Sequence, residues 1–285
     1  MQFIVIANLE IYVFVLTVSG AVLFSAACLQ RKLTPVTHPL HHSATRDLLL
    51  LPGLMCDATF WAPWLSALPQ GLNCQAMDYG DADTITTMAE AALAVAPPRF
   101  VLAGHSMGGR VALEIARLVP ERVQKLILMD TGYLALALGE KGEAEKAGRL
   151  ALMAVARSEG VPAMCQQWVK GMVHAARVDD AALVDPIIEM FARKSAARFE
   201  RQQHALLDRP NATAVLQCLT MSTLLICGRQ DAWAGVAQHE AMQALAPHAK
   251  LCVIEDAGHM VLMEQPRPTV APLNEFLQAP LEPSC

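Results

Sequence analysis

From Arg46 onward the chain alternates short, continuous apolar runs with stretches whose apolar residues recur every three or four positions. The first pattern predicts strands at Asp47–Leu51, Cys74–Tyr79, Phe100–Gly104, Val123–Met129, Thr223–Cys227 and Lys250–Ile254. Each run is short and apolar throughout, as strands covered on both faces of a parallel sheet are. The second pattern predicts helices at Phe60–Leu68, Thr84–Val95, Met107–Leu118, Val236–Leu245 and Pro268–Leu277. Strand and helix in alternation specify an α/β fold built on a mostly parallel, doubly wound sheet.

The alternation breaks after Asp130. Residues 131–219 are helical in composition, amphipathic and dotted with charge, with no convincing strand. Functional loops leave a doubly wound sheet at the carboxyl ends of its strands, so an insertion after Leu126–Met129 is expected to lie over a site there as a cap. The chain thus divides into an apolar N-terminal segment (1–45), an α/β core (46–130 and 220–285) and a helical cap (131–219).

Residues 11–29 are almost entirely apolar and are followed by Arg31 and Lys32, a length and flank that fit a membrane-spanning helix. On that reading the basic flank holds the rest of the chain in the cytoplasm, anchored by its N-terminus. Met1–Glu10 has no Lys or Arg, which argues against a secretory signal. The same residues also fit a β-rich hairpin, with strand formers at Phe3–Ala7 and Ile11–Leu16, or a start site assigned too early.

Composition narrows the partners. At 285 residues and a formal net charge of -5, with Lys and Arg scattered, the chain has no basic stripe for nucleic acid, and a small molecule is the expected ligand. Its eight cysteines form no CxxC pair and several sit inside apolar runs, so they read as buried thiols of a reducing compartment. His41 and His42 have no cysteine cluster to partner them, so neither metal nor cofactor is expected.

Candidate chemistry lies at the strand ends. Gly104-His105-Ser106-Met107-Gly108-Gly109 follows a strand and opens a helix, the context of a nucleophile elbow. Glycines two before and two after the serine let strand and helix approach closely, and the helix N-terminus favours developing negative charge. The base must follow in the order Ser, Asp or Glu, His, and of nine histidines His259 stands just after the last predicted strand, in Ala257-Gly258-His259. His105 points to the opposite face and is expected to pack; His239 and His248 read as solvated; His174 and His204 fall in the cap. Asp231, after the strand Thr223–Cys227, is the preferred acid, with Asp130 as its competitor and Asp256 assigned to a turn. For the oxyanion, Met107 N–H and Leu54 N–H in the Pro52–Asp57 loop are the expected donors.

Together these segments resemble the α/β-hydrolase superfamily, specifically the small capped serine hydrolases that include carboxylesterases, enol-lactonases and the pimeloyl-carrier methyl esterase. The resemblance covers about Arg46 to Leu277 and implies a catalytic triad of Ser106, Asp231 and His259 with an oxyanion hole at Leu54 and Met107. Two departures stand out: Pro52 precedes Gly53 where the family usually has a histidine, and the two opening antiparallel strands are not evident before Asp47. The sheet is therefore expected to be smaller, or completed by the N-terminal segment. Family members that open epoxides or remove halides carry Asp at the elbow, which Ser106 excludes.

The expected activity is hydrolysis of a carboxylic ester or lactone through an acyl-enzyme. A lyase or thioesterase with the same triad, and a receptor that has lost turnover, are the alternatives. In the cap, Trp168 and His174 are candidate substrate contacts, while Met153, Met164, Met172 and Met190 are weighted toward core packing over a pocket lining.

Overall fold

The computed structural model describes residues 47–280 in full and, before them, the backbone of two strands, β1 (Phe14–Val18) and β2 (Ala21–Ser25). These two pair antiparallel, Phe14 opposite Ser25 and Val18 opposite Ala21, as a sheet of their own. The expected spanning helix over 11–29 is therefore corrected where the backbone is described: β-branched and aromatic residues dominate it and it is extended. Among the described residues no helix is long and apolar enough to cross a membrane. The alternative strand at Phe3–Ala7 lies outside the described residues. The chain divides by contacts into residues 1–43 and 44–285.

In the larger unit the order is β3 (Asp47–Leu51), α1 (Ala58–Leu65), β4 (Asn73–Ala76), α2 (Ile85–Val95), β5 (Phe100–His105), α3 (Met107–Leu118) and β6 (Val123–Met129). Five helices follow: α4 (Glu140–Ser158), α5 (Val161–Trp168), α6 (Ala181–Ala192), α7 (Ala196–Leu207) and α8 (Thr213–Gln217). Then come β7 (Ser222–Gly228), α9 (Val236–Leu245), β8 (Lys250–Ile254), α10 (Val261–Glu264) and α11 (Pro266–Gln278). The six strands β3 to β8 form one sheet in the order β4-β3-β5-β6-β7-β8, every neighbouring pair parallel. The sheet thus has six strands, with β1 and β2 in a separate one.

Expectation and structure part at the two sheet edges. The strand read at Cys74–Tyr79 is only Asn73–Ala76 and mostly exposed, and β8 is only partly buried. Edge strands are covered on fewer sides than the central β3, β5, β6 and β7, whose residues are nearly all buried.

Strand order fixes where a site can form. The chain leaves β3 toward β4 on one side, then returns to place β5 on the other, so the loops after β3 and β5 diverge at a switch point. Leu51 is in register with Gly104, which sets the Pro52–Asp57 loop beside Ser106. The helices α4 to α8 leave the sheet after β6 at the same edge and return before β7. Polar ties hold them to the core: Asp57 pairs with Arg193 and Lys194, both at 2.9 Å, Asp78 pairs with Arg198 at 2.8 Å, and Met55 N donates to Gln202 Oε1 at 2.9 Å.

Candidate active site

Ser106 sits between β5 and α3 with φ 53° and ψ -116°, a conformation that L residues rarely adopt. The turn is held from both sides: Ser106 N donates to Met129 O at 2.9 Å, and Thr131 Oγ1 donates to Ser106 O at 2.6 Å. Strand and helix approach so closely that a Cβ on Gly104 would lie 2.4 Å from Gly108 O, and one on Gly108 2.0 Å from Leu51 O. Glycine at both places is a steric requirement of the turn.

The imidazole of His259 reaches this hydroxyl from the loop that follows the edge strand β8. Its Nε2 lies 2.8 Å from Ser106 Oγ and its Nδ1 2.8 Å from Asp231 Oδ2. Asp231 Oδ1 in turn accepts from Trp233 N at 2.8 Å and Ala234 N at 3.0 Å. Burial alone would raise the Asp231 carboxyl, but the imidazole beside it and the two amides hold it below the ordinary carboxylate range. A carboxylate fixed in this way orients the ring with Nδ1 protonated and leaves Nε2 to accept from the serine.

The sequence competitor for the acid is placed elsewhere. Asp130 is fully buried at the end of β6 with φ 45°; its Oδ1 accepts from Gly228 N at 2.9 Å, and its Oδ2 is 4.0 Å from His105 Nε2. Burial, reinforced by the neighbouring Asp231 charge, holds its carboxyl well above the usual range. Asp256, at φ 54°, occupies the turn expected of it.

Several supporting residues have no signature in the sequence. Glu264, buried in α10, accepts from Gly258 N at 2.9 Å, Met260 N at 3.1 Å and His174 N at 2.7 Å, so one carboxylate holds both flanks of His259 and a segment of the insertion. A carboxylate inside the apolar run Val261-Leu262-Met263-Glu264 is the only hint the sequence offers. His259 N donates to Met172 O at 2.6 Å, and His259 O accepts from His105 Nε2 at 2.9 Å. The His105 ring stacks on Phe60 at 3.9 Å, the packing role expected of it, and burial lowers it to about 3. Trp233 meets the His259 ring edge to face at 4.9 Å and stacks on Trp168 at 6.0 Å.

These groups face a cavity of about 550 Å³ lined by Ser106, His259, Leu54, Met107, Trp168 and Met172 among others, with walls from both the sheet edge and the insertion. Trp168, a candidate substrate contact, is in this lining. His174 is not in the lining: its Nδ1 accepts from Ala176 N at 3.0 Å, capping a short helical turn, and this corrects the expected contact. Met153, Met164 and Met190 are buried in packing, and only Met172 of the four reaches the cavity. His239 is likewise corrected, from solvated to fully buried, with Nε2 accepting from Thr131 N at 3.4 Å and Nδ1 donating to Gly235 O at 3.2 Å. The six cysteines among the described residues are free thiols, and no three metal-ligating side chains cluster there.

The sequence profile of the alpha/beta hydrolase fold family matches residues 55–266. The chain belongs to this family. Among its relatives, the biotin biosynthesis bifunctional protein BioHC of Cellvibrio japonicus is 23% identical over 239 residues, which is 81% of this chain and 47% of that protein. The pimeloyl-[acyl-carrier protein] methyl ester esterase of Nitrosomonas europaea is 25% identical over 244 residues, 79% of this chain and 93% of that protein. The chain therefore spans about half the length of the bifunctional relative and nearly all of the methyl ester esterase. Among solved structures, a thermophilic esterase from Thermogutta terrifontis superposes with a TM-score of 0.72 at 25% identity, covering 81% of this chain and 89% of that one.

Proposed function

We propose that the protein is a serine hydrolase that cleaves a small-molecule carboxylic ester or lactone through an acyl-enzyme. The observation that carries this reading is the unbroken chain Ser106 Oγ, His259 Nε2, His259 Nδ1, Asp231 Oδ2, with 2.8 Å at each contact and a cavity opening onto the hydroxyl. His259 takes the proton of Ser106 as its Oγ attacks the carbonyl, and the imidazolium formed is stabilised by Asp231. The tetrahedral oxygen is held by the N–H groups of Met107 and Leu54; both residues line the cavity, and among the described residues neither amide has another acceptor. Collapse expels the alcohol, protonated by His259, which then activates water to release the acid.

Helices α4 to α8 act as the cap, shaping the acyl pocket with Trp168 in its wall. The relatives named above, a pimeloyl methyl ester esterase and a thermophilic esterase, support ester chemistry for this chain. The test is hydrolysis of p-nitrophenyl esters of increasing acyl length by wild type and Ser106→Ala in parallel. Turnover is expected from wild type, with loss of roughly 10⁴-fold or more in the variant. Equal turnover by the two proteins sinks the reading.

A further inference from the structure

The cavity is not electrically balanced. Its lining includes three arginines, Arg110, Arg149 and Arg209, and Lys141, against one acidic residue, Glu145, outside the serine–histidine–aspartate site and its buried neighbour Asp130. Lys141, Glu145, Arg149 and Leu152 recur on α4 at intervals of three or four, which sets them on one helix face turned to the cavity.

Glu145 is fully engaged. Its Oε1 accepts from Arg149 Nε at 3.0 Å and Arg209 Nη1 at 2.8 Å, and its Oε2 from Arg209 Nη2 at 2.9 Å. Arg149 Nη1 also donates to Gln203 Oε1 at 2.7 Å. Arg110 is different. Its Nη1 donates to the carbonyl of Leu134 at 2.8 Å, and among the described residues it has no carboxylate partner. Burial, with Arg209 and Arg149 nearby and Glu145 opposing them, lowers its guanidinium to about 9, so the half-buried side chain keeps its charge at neutral pH with no carboxylate held against it. A chain of net charge -5 thus turns a cluster of positive charge inward onto its cavity.

Resting on the serine hydrolase reading, we propose that Arg110 determines specificity by binding an anionic group of the substrate, which is an ester or lactone bearing a carboxylate several bonds from the carbonyl that Ser106 attacks. Arg110 lies on α3 four residues beyond Ser106, their backbones about 6 Å apart along the helix axis, and both residues line the one cavity. A guanidinium presents two parallel N–H donors that match a carboxylate, and an uncharged chain of equal length leaves those donors facing apolar atoms. The cavity therefore selects for the acid and against its neutral isostere.

The experiment compares kcat/KM for monomethyl esters of linear dicarboxylic acids with that for methyl esters of monocarboxylic acids of equal chain length, using wild type, Arg110→Met and Arg110→Lys. Wild type is expected to favour the half-esters by roughly 10- to 100-fold. In Arg110→Met that ratio falls to near one, mainly through KM of the half-esters; Arg110→Lys retains part of it, as a point charge without the fork. Equal use of both series by wild type overturns the proposal, as does equal slowing of both in Arg110→Met, the result of a role confined to holding Leu134. Should the Met variant fail to fold, the wild-type ratio and the Lys variant still decide. Labelling of Ser106 by a fluorophosphonate separates the two readings: labelling with neutral-ester turnover and no preference removes only the anion site, whereas no labelling and no cleavage of either series removes both.

Discussion

Ser106 is held at a positive φ that costs a non-glycine residue of order 1–3 kcal/mol, and the bonds from Met129 and Thr131 make the turn rigid enough to keep it there. In the proposed mechanism the hydroxyl is useful only if the imidazole presents the correct nitrogen, and that depends on Asp231. Asp231→Asn is expected to lower kcat by about 10⁴-fold, because the amide no longer enforces the tautomer, whereas Asp130→Asn leaves kcat within about tenfold. Steady-state kinetics on both variants decides, and the reverse ranking would move the acid to Asp130. His105 yields a pH prediction. Burial lowers its ring from 6.5 to about 3, so below pH 6.5 the unfolded chain binds a proton that the folded chain refuses. Folding stability therefore falls as pH drops from 6.5 toward 3, by up to about 1.4 kcal/mol per pH unit from this group. Urea denaturation at pH 7, 6 and 5 should show a shallower decline in His105→Asn, and identical slopes would remove His105 as the source. Ser106, Asp231 and His259 were legible because each follows a strand and the chain order restricts the choice. Glu264 and Arg110 were not, since a carboxylate or guanidinium gains its role only from partners brought together by the fold.

Among the elements, α1 joins core and insertion. Asp57 caps it, accepting from Thr59 N at 2.9 Å, and the same carboxylate meets Arg193 and Lys194 at the turn between α6 and α7. Burial opposes its ionisation, but Lys194, the Thr59 amide and Arg193 outweigh it and hold the carboxyl well below its ordinary value of 3.8. Asp57→Ala removes cap and ion pairs and is expected to cost about 1–2 kcal/mol; Asp57→Asn keeps the cap and costs about 0.5–1 kcal/mol. Because the folded value is depressed, the contribution is complete above the unfolded value and is lost as pH falls through the folded one. The stability gap between wild type and Asp57→Asn, measured by urea titration, should therefore be constant from pH 7 to 5 and narrow below 4; a gap independent of pH would show that the ion pairs contribute nothing. The central strands could be read because β3, β5, β6 and β7 are apolar along their whole length. The edge strand β4 was overextended, since Met77 and Tyr79 are buried without being strand, and apolarity reports burial before it reports backbone geometry. The insertion was legible as helical, but not which of its side chains face the cavity: His174 turned to a local cap and Trp168 to the wall.

At the scale of the whole molecule, the chain divides into a compact unit at residues 44–285 and a second at 1–43. Everything argued above lies in the larger one: the cavity lining runs from Leu54 to Met260, and the six-stranded sheet begins at Asp47 and ends at Ile254. A unit of this size buries enough apolar surface to fold alone. The N-terminal composition alone could not decide among helix, hairpin and extraneous segment, because a long apolar run satisfies both a spanning helix and a pair of strands. A chain that begins at Ala44 is therefore expected to unfold cooperatively within about 2 °C of the full-length protein. It should also keep the fluorophosphonate reactivity of Ser106 and the same kcat/KM on a short p-nitrophenyl ester. Differential scanning calorimetry and labelling on the two chains, side by side, test this. A truncated chain that aggregates, or labels slowly at unchanged Tm, would mean that residues 1–43 complete the hydrophobic layer or the site, and the division into two units would not survive as a functional one.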